Sequence, residues 1–339
     1  MKKIRALALV HDHLVPPEDT TGIDILEAEW KMEYDVIETL REIGHELRVV
    51  GINDDLRDVR RNVEEFSPHI VVNLMEAFAG ITTFDQNVVS YLELLRLPYT
   101  GCNPRGLILA RDKALSKKLL AYHRIPVPEF TVVRPGRKPV LPKRLTFPLI
   151  VKSLFFEASA GISQASVVEN AEQLARRVSF IHERLGTAAI VEQFIDGREL
   201  YVGVLGNERL EAFPVWEMSF DTMSENRWKI ATERVKWSTQ YQKRHGIMTD
   251  RAELDPTVAE RIQRIAKRSY RALDLNGYAR IDLRMDADGR VYVLEANPNP
   301  NLAYGEDFAE SAEVSGVPYE RLLDRIIALG LRWEPERTG

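Results

Sequence analysis

One cysteine, Cys102, stands among 339 residues. That is too few for an intrachain disulfide or a cysteine-based zinc site, and it fits a reducing compartment. No window approaches the run of about 18 apolar residues that a membrane span needs. The apolar stretch after Met1-Lys2-Lys3 is soon broken by His11, Asp12 and His13, so neither signal peptide nor membrane segment is expected and a cytoplasmic location is. A basic excess is also lacking: 46 Lys and Arg face 51 Asp and Glu, a net charge of −5, which argues against a nucleic-acid partner. Glycine (19) and proline (17) are too sparse for collagen-like structure or long disorder. What is present, 45% hydrophobic and 29% charged residues over a chain of this length, predicts an ordinary globular protein of two or three domains.

The first hundred residues alternate apolar runs with amphipathic stretches. Ile4 to Val10, Leu47 to Ile52 and His69 to Leu74 read as strands and Glu27 to Ile43 as a helix, the pattern of βαβ units and a parallel sheet. A helix is expected from Arg105 to His123, stopped by Pro126 and Pro128. Strands at Phe130 to Val133, Leu149 to Leu154, Ala165 to Val168 and Ala188 to Gln193, with a helix over Ala171 to Leu185, describe a small α+β unit. Beyond Gly197 come a strand at Leu200 to Leu205, helices over Pro256 to Leu273 and Pro318 to Leu329, and a hairpin near Ile281 to Glu295. The expected division is an N-terminal α/β domain over 1–105, a central unit over 106–193 and a C-terminal unit over 194–339.

The hairpin carries the chemistry. If Ala287 to Arg290 form a four-residue loop, Asp282 lies opposite Glu295 and Arg280 opposite Asn297, while Ile281, Leu283, Met285, Tyr292, Leu294 and Ala296 share the other face. Two carboxylates and an amide oxygen are hard ligands suited to a magnesium ion that shares its coordination with phosphates. The plainer alternative is an exposed strand face whose acids pair with Arg280 and Arg284. The following Asn297-Pro-Asn-Pro300 favours the first, because two prolines end ladder pairing and stiffen a turn that can aim the backbone amide of Asn301 or Leu302.

Arg280-Ile-Asp282 with Val293-Leu-Glu295-Ala-Asn297-Pro-Asn-Pro resembles the metal-binding hairpin of ATP-grasp enzymes, particularly D-alanine–D-alanine ligases. The resemblance extends in order through Leu97-Pro-Tyr-Thr-Gly-Cys102, Ala110-Arg-Asp-Lys113, Pro148-Leu-Ile-Val-Lys152 and Glu192-Gln-Phe-Ile-Asp-Gly-Arg-Glu199. It implies an ATP-grasp fold, α/β and α+β, with an N-terminal parallel-sheet domain and nucleotide bound between two α+β units. By the same resemblance Lys113 and Lys152 contact phosphates, Glu192, Phe194 and Ile195 belong to the connector that meets adenine, and Glu199 binds ribose. Glu157 and Ser159 belong to the small-residue loop over the phosphates, and Lys236 reaches the γ-phosphate from a second loop. Asp282, Glu295 and Asn297 hold Mg²⁺ or Mn²⁺.

The implied activity is ADP-forming ligation of a carboxylate to an amine through an acyl phosphate, joining amino acids or an amino acid and a peptide. Arg280, with a backbone amide near Asn301, stabilises the tetrahedral oxyanion. A homodimer is suggested by the resemblance alone. At the substrate ends the sequence departs from the family: His11-Asp-His-Leu-Val-Pro-Pro17 replaces the glycine-rich first loop with its amino-binding acid, and Leu302-Ala-Tyr-Gly-Glu306 replaces the usual hydroxyl-bearing stretch. Glu76, Tyr304 and Glu306 are candidate substrate contacts there. Two alternatives stand beside the ligase: an ATP-binding regulatory protein without turnover, and an ATP-grasp kinase.

Overall fold

The computed structural model describes residues 3–156, 161–220, 227–237 and 239–334. Three sheets organise them. The first is parallel, β1 (Arg5–His11) lying between β2 (Glu46–Ile52) and β3 (Ile70–Asn73). The near-continuous apolar run of β1 suits a strand covered on both faces. Alternate residues go to opposite sides: Leu7 and Leu9 pack with Val50, Ile52 and Val71, whereas Ala6, Ala8 and Val10 meet helices Lys31–Glu42 and Tyr319–Arg332.

The second sheet is antiparallel, with β4 (Phe130–Val133), β5 (Leu149–Ser153), β6 (Val167–Val168) and β7 (Ala189–Gln193) in the order β4-β7-β5-β6. Helix Ala171–Leu185 covers it. Asn170 caps that helix by accepting from Gln173 N–H, and Gly186 ends it at φ +65°. The third sheet joins β8 (Arg198–Leu205), β9 (Glu211–Ala212), β10 (Trp216–Phe220), β11 (Ile247–Arg251), β12 (Tyr278–Met285) and β13 (Val291–Pro298), in the order β11-β10-β8-β12-β13 with β9 beside β8. Its core is continuous with that of the first sheet, because Leu200, Val202, Ile281 and Val293 belong to the same buried cluster as Leu7 and Val71. The second sheet keeps a core of its own, including Leu149, Val178 and Val191.

A backbone seam joins the first and third sheets. Asn103 N–H donates to Asn276 Oδ1 at 2.6 Å, Asn103 Nδ2 to Asp274 O at 2.8 Å, and Cys102 N–H to Asn299 Oδ1 at 2.8 Å. Approach is so close that a Cβ on Gly277 would lie 2.6 Å from Gly101 O, so glycine is required there.

Three expectations change in detail. The first helix begins at Lys31 rather than Glu27, because Asp24 accepts from Leu26 N–H and closes a separate single turn over Ile25–Glu27. The stretch from Arg105 to His123 is two helices, Pro104–Arg111 and Lys113–Tyr122. Asp112 leaves helical geometry (φ −81°, ψ 99°), and its carboxylate accepts from the N–H groups of Ala114 and Leu115. The hairpin loop is five residues, and Leu294 is bulged out of the ladder between the pairs Asp282–Glu295 and Leu283–Val293. Val291 and Val293 consequently enter the core where Tyr292 and Leu294 were expected, while Asp282 still faces Glu295 and Arg280 still faces Asn297. Among the described residues no helix is long and apolar enough to cross a membrane.

Candidate active site

A cleft between the second and third sheets is lined by Ile150, Lys152, Glu192, Phe194, Glu199, Asp282 and Glu295, with Ile195 and Arg284 beside them. Half of the fourteen expected site residues line it. It is narrow, with a volume of about 60 Å³.

Glu192 of β7 is its electrostatic centre. Only 1% exposed, it accepts from Lys152 Nζ at 3.2 Å, and Lys117 Nζ lies 3.3 Å from its other oxygen, an ion pair too poorly directed to count as a hydrogen bond. β5 and β7 pair Lys152 with Ile190 and Ile150 with Glu192, so the lysine reaches the acid along one face of the sheet. Lys117, fully buried, also donates to Leu294 O at 2.5 Å, the carbonyl of the bulge. Burial would raise the Glu192 carboxyl, but the charges of Lys117 and Lys152 overcome it and hold the acid below its usual range. Burial pushes the Lys117 ammonium down, while at Lys152 the charges of Glu192 and Glu295 outweigh burial and raise it.

Lys117 is the residue that sequence reasoning missed. It lies one turn after Lys113, on a helix whose phase depends on the break at Asp112. Lys113 starts that helix, donates to Phe156 O at 2.7 Å and lies 3.8 Å from Glu295. The lysines Lys113, Lys117 and Lys152 thus face the acids Glu192 and Glu295, three positive charges against two negative.

The plainer reading of the hairpin acids holds in part. Arg280 grips both oxygens of Asp282, at 2.8 and 3.1 Å, lies 3.7 Å from Asp307 and sits over the ring of Tyr201. Burial alone would lower the guanidinium, but Asp282 and Asp307 raise it further. Arg284 pairs not with a hairpin acid but with Glu199, at 2.9 Å, and donates to Ile195 O at 2.7 Å and to Lys229 O. Tyr201 donates its hydroxyl to the other oxygen of Glu199 at 3.0 Å. The acid expected to bind ribose is therefore oriented by two donors.

The turn after β13 is fixed from both sides. Asn299 adopts φ +52°, Asn301 Oδ1 accepts from Ala303 N–H at 2.8 Å, and no described residue accepts from the Asn301 N–H. Farther along, Lys31 Nζ donates to Tyr304 O at 2.6 Å and to Asp35 at 2.7 Å, and Asp35 accepts from Tyr304 N–H at 2.9 Å. Glu306 occupies the N-cap position of helix Asp307–Val314 without a capping bond from its side chain. The rings of His11 and His13 lie 5.5 Å apart, and His11 Nε2 accepts from Glu76 N–H at 3.4 Å. No cluster of three or more His, Cys, Asp or Glu side chains arranged to hold a metal occurs among the described residues, these included.

Glu157 and Ser159 lie outside the described residues. So does the side chain of Lys236, whose backbone belongs to helix Glu233–Trp237. That helix is tied to the end of the small-residue loop, since Gly161 N–H donates to Glu233 Oε2 at 3.2 Å and Glu233 N–H to Ile162 O at 3.1 Å.

A family model described as the D-ala D-ala ligase C-terminus matches residues 119–328. An uncharacterized protein of Sinorhizobium fredii, y4sG, is 30% identical over 305 residues, covering 88% of this chain and 86% of its own. The D-alanine–D-alanine ligase of Desulforudis audaxviator is 30% identical over 297 residues, covering 87% and 90%. In fold, the chain is similar to the crystal structure of D-alanine–D-alanine ligase from Bacillus anthracis complexed with ATP, with TM-score 0.74 over 97% of this chain and 98% of that one at 22% identity. Together with the cleft, these matches place the chain in the D-alanine–D-alanine ligase family of ATP-grasp proteins.

Proposed function

We propose that this protein is an ATP-dependent, ADP-forming ligase that joins the carboxylate of one amino acid to the amine of another amino acid or of a peptide. The observation that carries the reading is the convergence, on one cleft, of a buried lysine cluster and a hairpin presenting Arg280, Asp282, Glu295 and Asn297 in register. Several curated relatives, that of Desulforudis audaxviator among them, bear the name D-alanine–D-alanine ligase.

A carboxylate is a poor electrophile at neutral pH, so an amide bond requires its activation. Phosphoryl transfer from ATP turns the carboxylate oxygen into the bridge of an acyl phosphate; the amine then attacks the carbonyl and phosphate leaves. Lys113, Lys117 and Lys152 hold the nucleotide's phosphates, and Lys236 matches the lysine that the family brings to the γ-phosphate. Phe194 and Ile195 border the adenine, and Glu199, oriented by Arg284 and Tyr201, accepts from ribose hydroxyls. Arg280 and the Asn301 N–H face the oxyanion as the tetrahedral intermediate forms.

The donors around Asp282 fit magnesium. Asp282 and Glu295 are a register pair, and Asn297 follows Glu295 by two residues on the same face of the strand, so the three oxygen-bearing side chains share one patch. Arg280 takes only part of the acceptor capacity of Asp282, since a carboxylate offers about four lone-pair sites. Magnesium held by Asp282, Glu295 and Asn297 supplies neutralisation of phosphate charge when bound.

The test is incubation with Mg·ATP and amino acids, singly and in pairs, followed by phosphate release and product mass. Ligation gives one phosphate and one mass equal to two substrates less water. Asp282→Asn and Glu295→Gln abolish both signals. Unchanged turnover in those variants, or ADP without an amide product, overturns the reading.

A further inference from the structure

A second concavity of about 500 Å³ lies beside the cleft, lined by Gln164, Val167, Gln173, Arg176, Arg177, Phe180 and Trp228, with Ala165 and Glu169 completing its rim. Its floor holds an anomaly. Arg177, only 7% exposed, pairs with no carboxylate among the described residues. It donates through Nη2 to Ser166 Oγ at 2.8 Å and to Gly161 O, its guanidinium lies 4.4 Å from the centre of the Phe180 ring, and its buried Nε has no partner. A buried guanidinium without an anion is costly. Arg176 at the rim adds a second positive charge and is paired with the exposed Glu172 at 2.8 Å. The walls, by contrast, are flat and apolar: Val167, Phe180 and the indole of Trp228.

We propose that this concavity is a second ligand site, for a small planar organic anion whose carboxylate meets Arg177 and whose ring lies between Phe180 and Trp228. The volume and the mix of apolar wall with a few polar groups suit a small molecule. Charge selects the carboxylate at the floor, where Arg177 meets only the neutral oxygens of Ser166 and Gly161 among the described residues, while Arg176 at the rim is held by Glu172. The site is separate from the nucleotide cleft but shares a wall with it. Val167 and Trp228 pack with Phe194 and Ile230 of that cleft in one small cluster, and Trp228 stands edge-on to Phe194 at 5.1 Å. Gln164 holds the partition by bonding both backbone groups of Trp228, at 2.8 and 2.9 Å.

The probe is benzoate, titrated calorimetrically into the full chain with ADP present to fill the nucleotide cleft; ADP binding is measured separately first. Benzoate binds with a dissociation constant on the order of 1 mM, ordinary for so small a ligand, and benzamide, its uncharged isostere, binds at least about tenfold more weakly. Arg177→Lys and the rim variants Phe180→Ala and Arg176→Gln each weaken benzoate severalfold, with unchanged ADP affinity showing that they fold. No benzoate binding up to about 10 mM, equal binding of benzamide, or benzoate affinity that survives Phe180→Ala and Arg176→Gln overturns the proposal. None of these outcomes depends on the reaction catalysed in the cleft.

Discussion

Replacing Glu192 by glutamine tests the electrostatic centre directly. The side chain keeps its shape but loses its charge, leaving buried Lys117 and nearly buried Lys152 about one hydrogen-bond length from a neutral amide. Glu295 is the remaining acid nearby and already lies against Lys113. Removing one partner from a buried ion pair costs about 3–5 kcal/mol. With an unfolding entropy of about 2.1 cal/mol/K per residue, 339 residues give about 0.7 kcal/mol/K, so the expected loss in Tm is about 4–7 °C. The deficit depends on pH. Without Glu192, burial lowers both ammonium groups, so the unfolded chain binds more protons than the folded one between the lowered values and the ordinary lysine value. Stability of the variant therefore rises with pH in that range, and the Tm gap to the parent narrows between pH 7 and pH 9.5. Differential scanning fluorimetry at both pH values is sufficient. A loss below about 1 °C at pH 7, or a gap that does not change with pH, refutes the argument that Glu192 compensates these lysines.

Burial, reinforced by the charge of Glu76, pushes Glu33 up to about 7. Its folded form favours the proton, so its contribution is complete below the ordinary carboxyl value and is lost as pH rises through 7; Glu33→Gln leaves Tm unchanged near pH 5 and raises it at pH 8. Arg284→Met strands buried Glu199, which lowers Tm by about 4–7 °C and weakens ADP affinity at least tenfold by calorimetry; equal ADP affinity separates Glu199 from the nucleotide. Asp112→Ala removes the cap that starts the helix of Lys113 and Lys117, costing about 1 kcal/mol or about 1.4 °C. Retention of the parent Tm by Asp112→Asn but not by Asp112→Leu confirms the side-chain bond.

The parts of the fold that were legible are those where one face of an element is strongly apolar. Helix Ala171–Leu185 was readable to the residue because its capping Asn170 and terminating Gly186 bracket a clear 3.6-residue pattern. Helix Arg57–Phe66 was not, since only Val59, Val63 and Phe66 interrupt its charged sequence. Two short strands, Trp216–Phe220 and Ile247–Arg251, pair across a gap of sequence that no local pattern bridges. The hairpin acids were legible because register fixes them, and the bulge at Leu294 was not, because alternation cannot locate an extra residue. At the site, Lys113 and Lys152 stood out beside recognisable motifs. Lys117 and Arg284 did not, because their partners, Glu192 and Glu199, lie 75 and 85 residues away and only folding makes them neighbours.

The seam at Asn103, Asn276 and Asn299 determines how the molecule divides mechanically. Sheets one and three are fastened by asparagine side chains bonded to backbone groups across the seam and share one core, so they form a rigid frame. The second sheet, with its separate core, is the jaw. Strain applied at the cleft is therefore absorbed at the short connections entering and leaving that jaw, around Pro126 and Asp196, and not at the contact where the frame's halves meet. Paired spectroscopic labels on helices Lys31–Glu42 and Pro256–Ala272 would keep their separation as nucleotide enters, while a label on helix Ala171–Leu185 would swing relative to both.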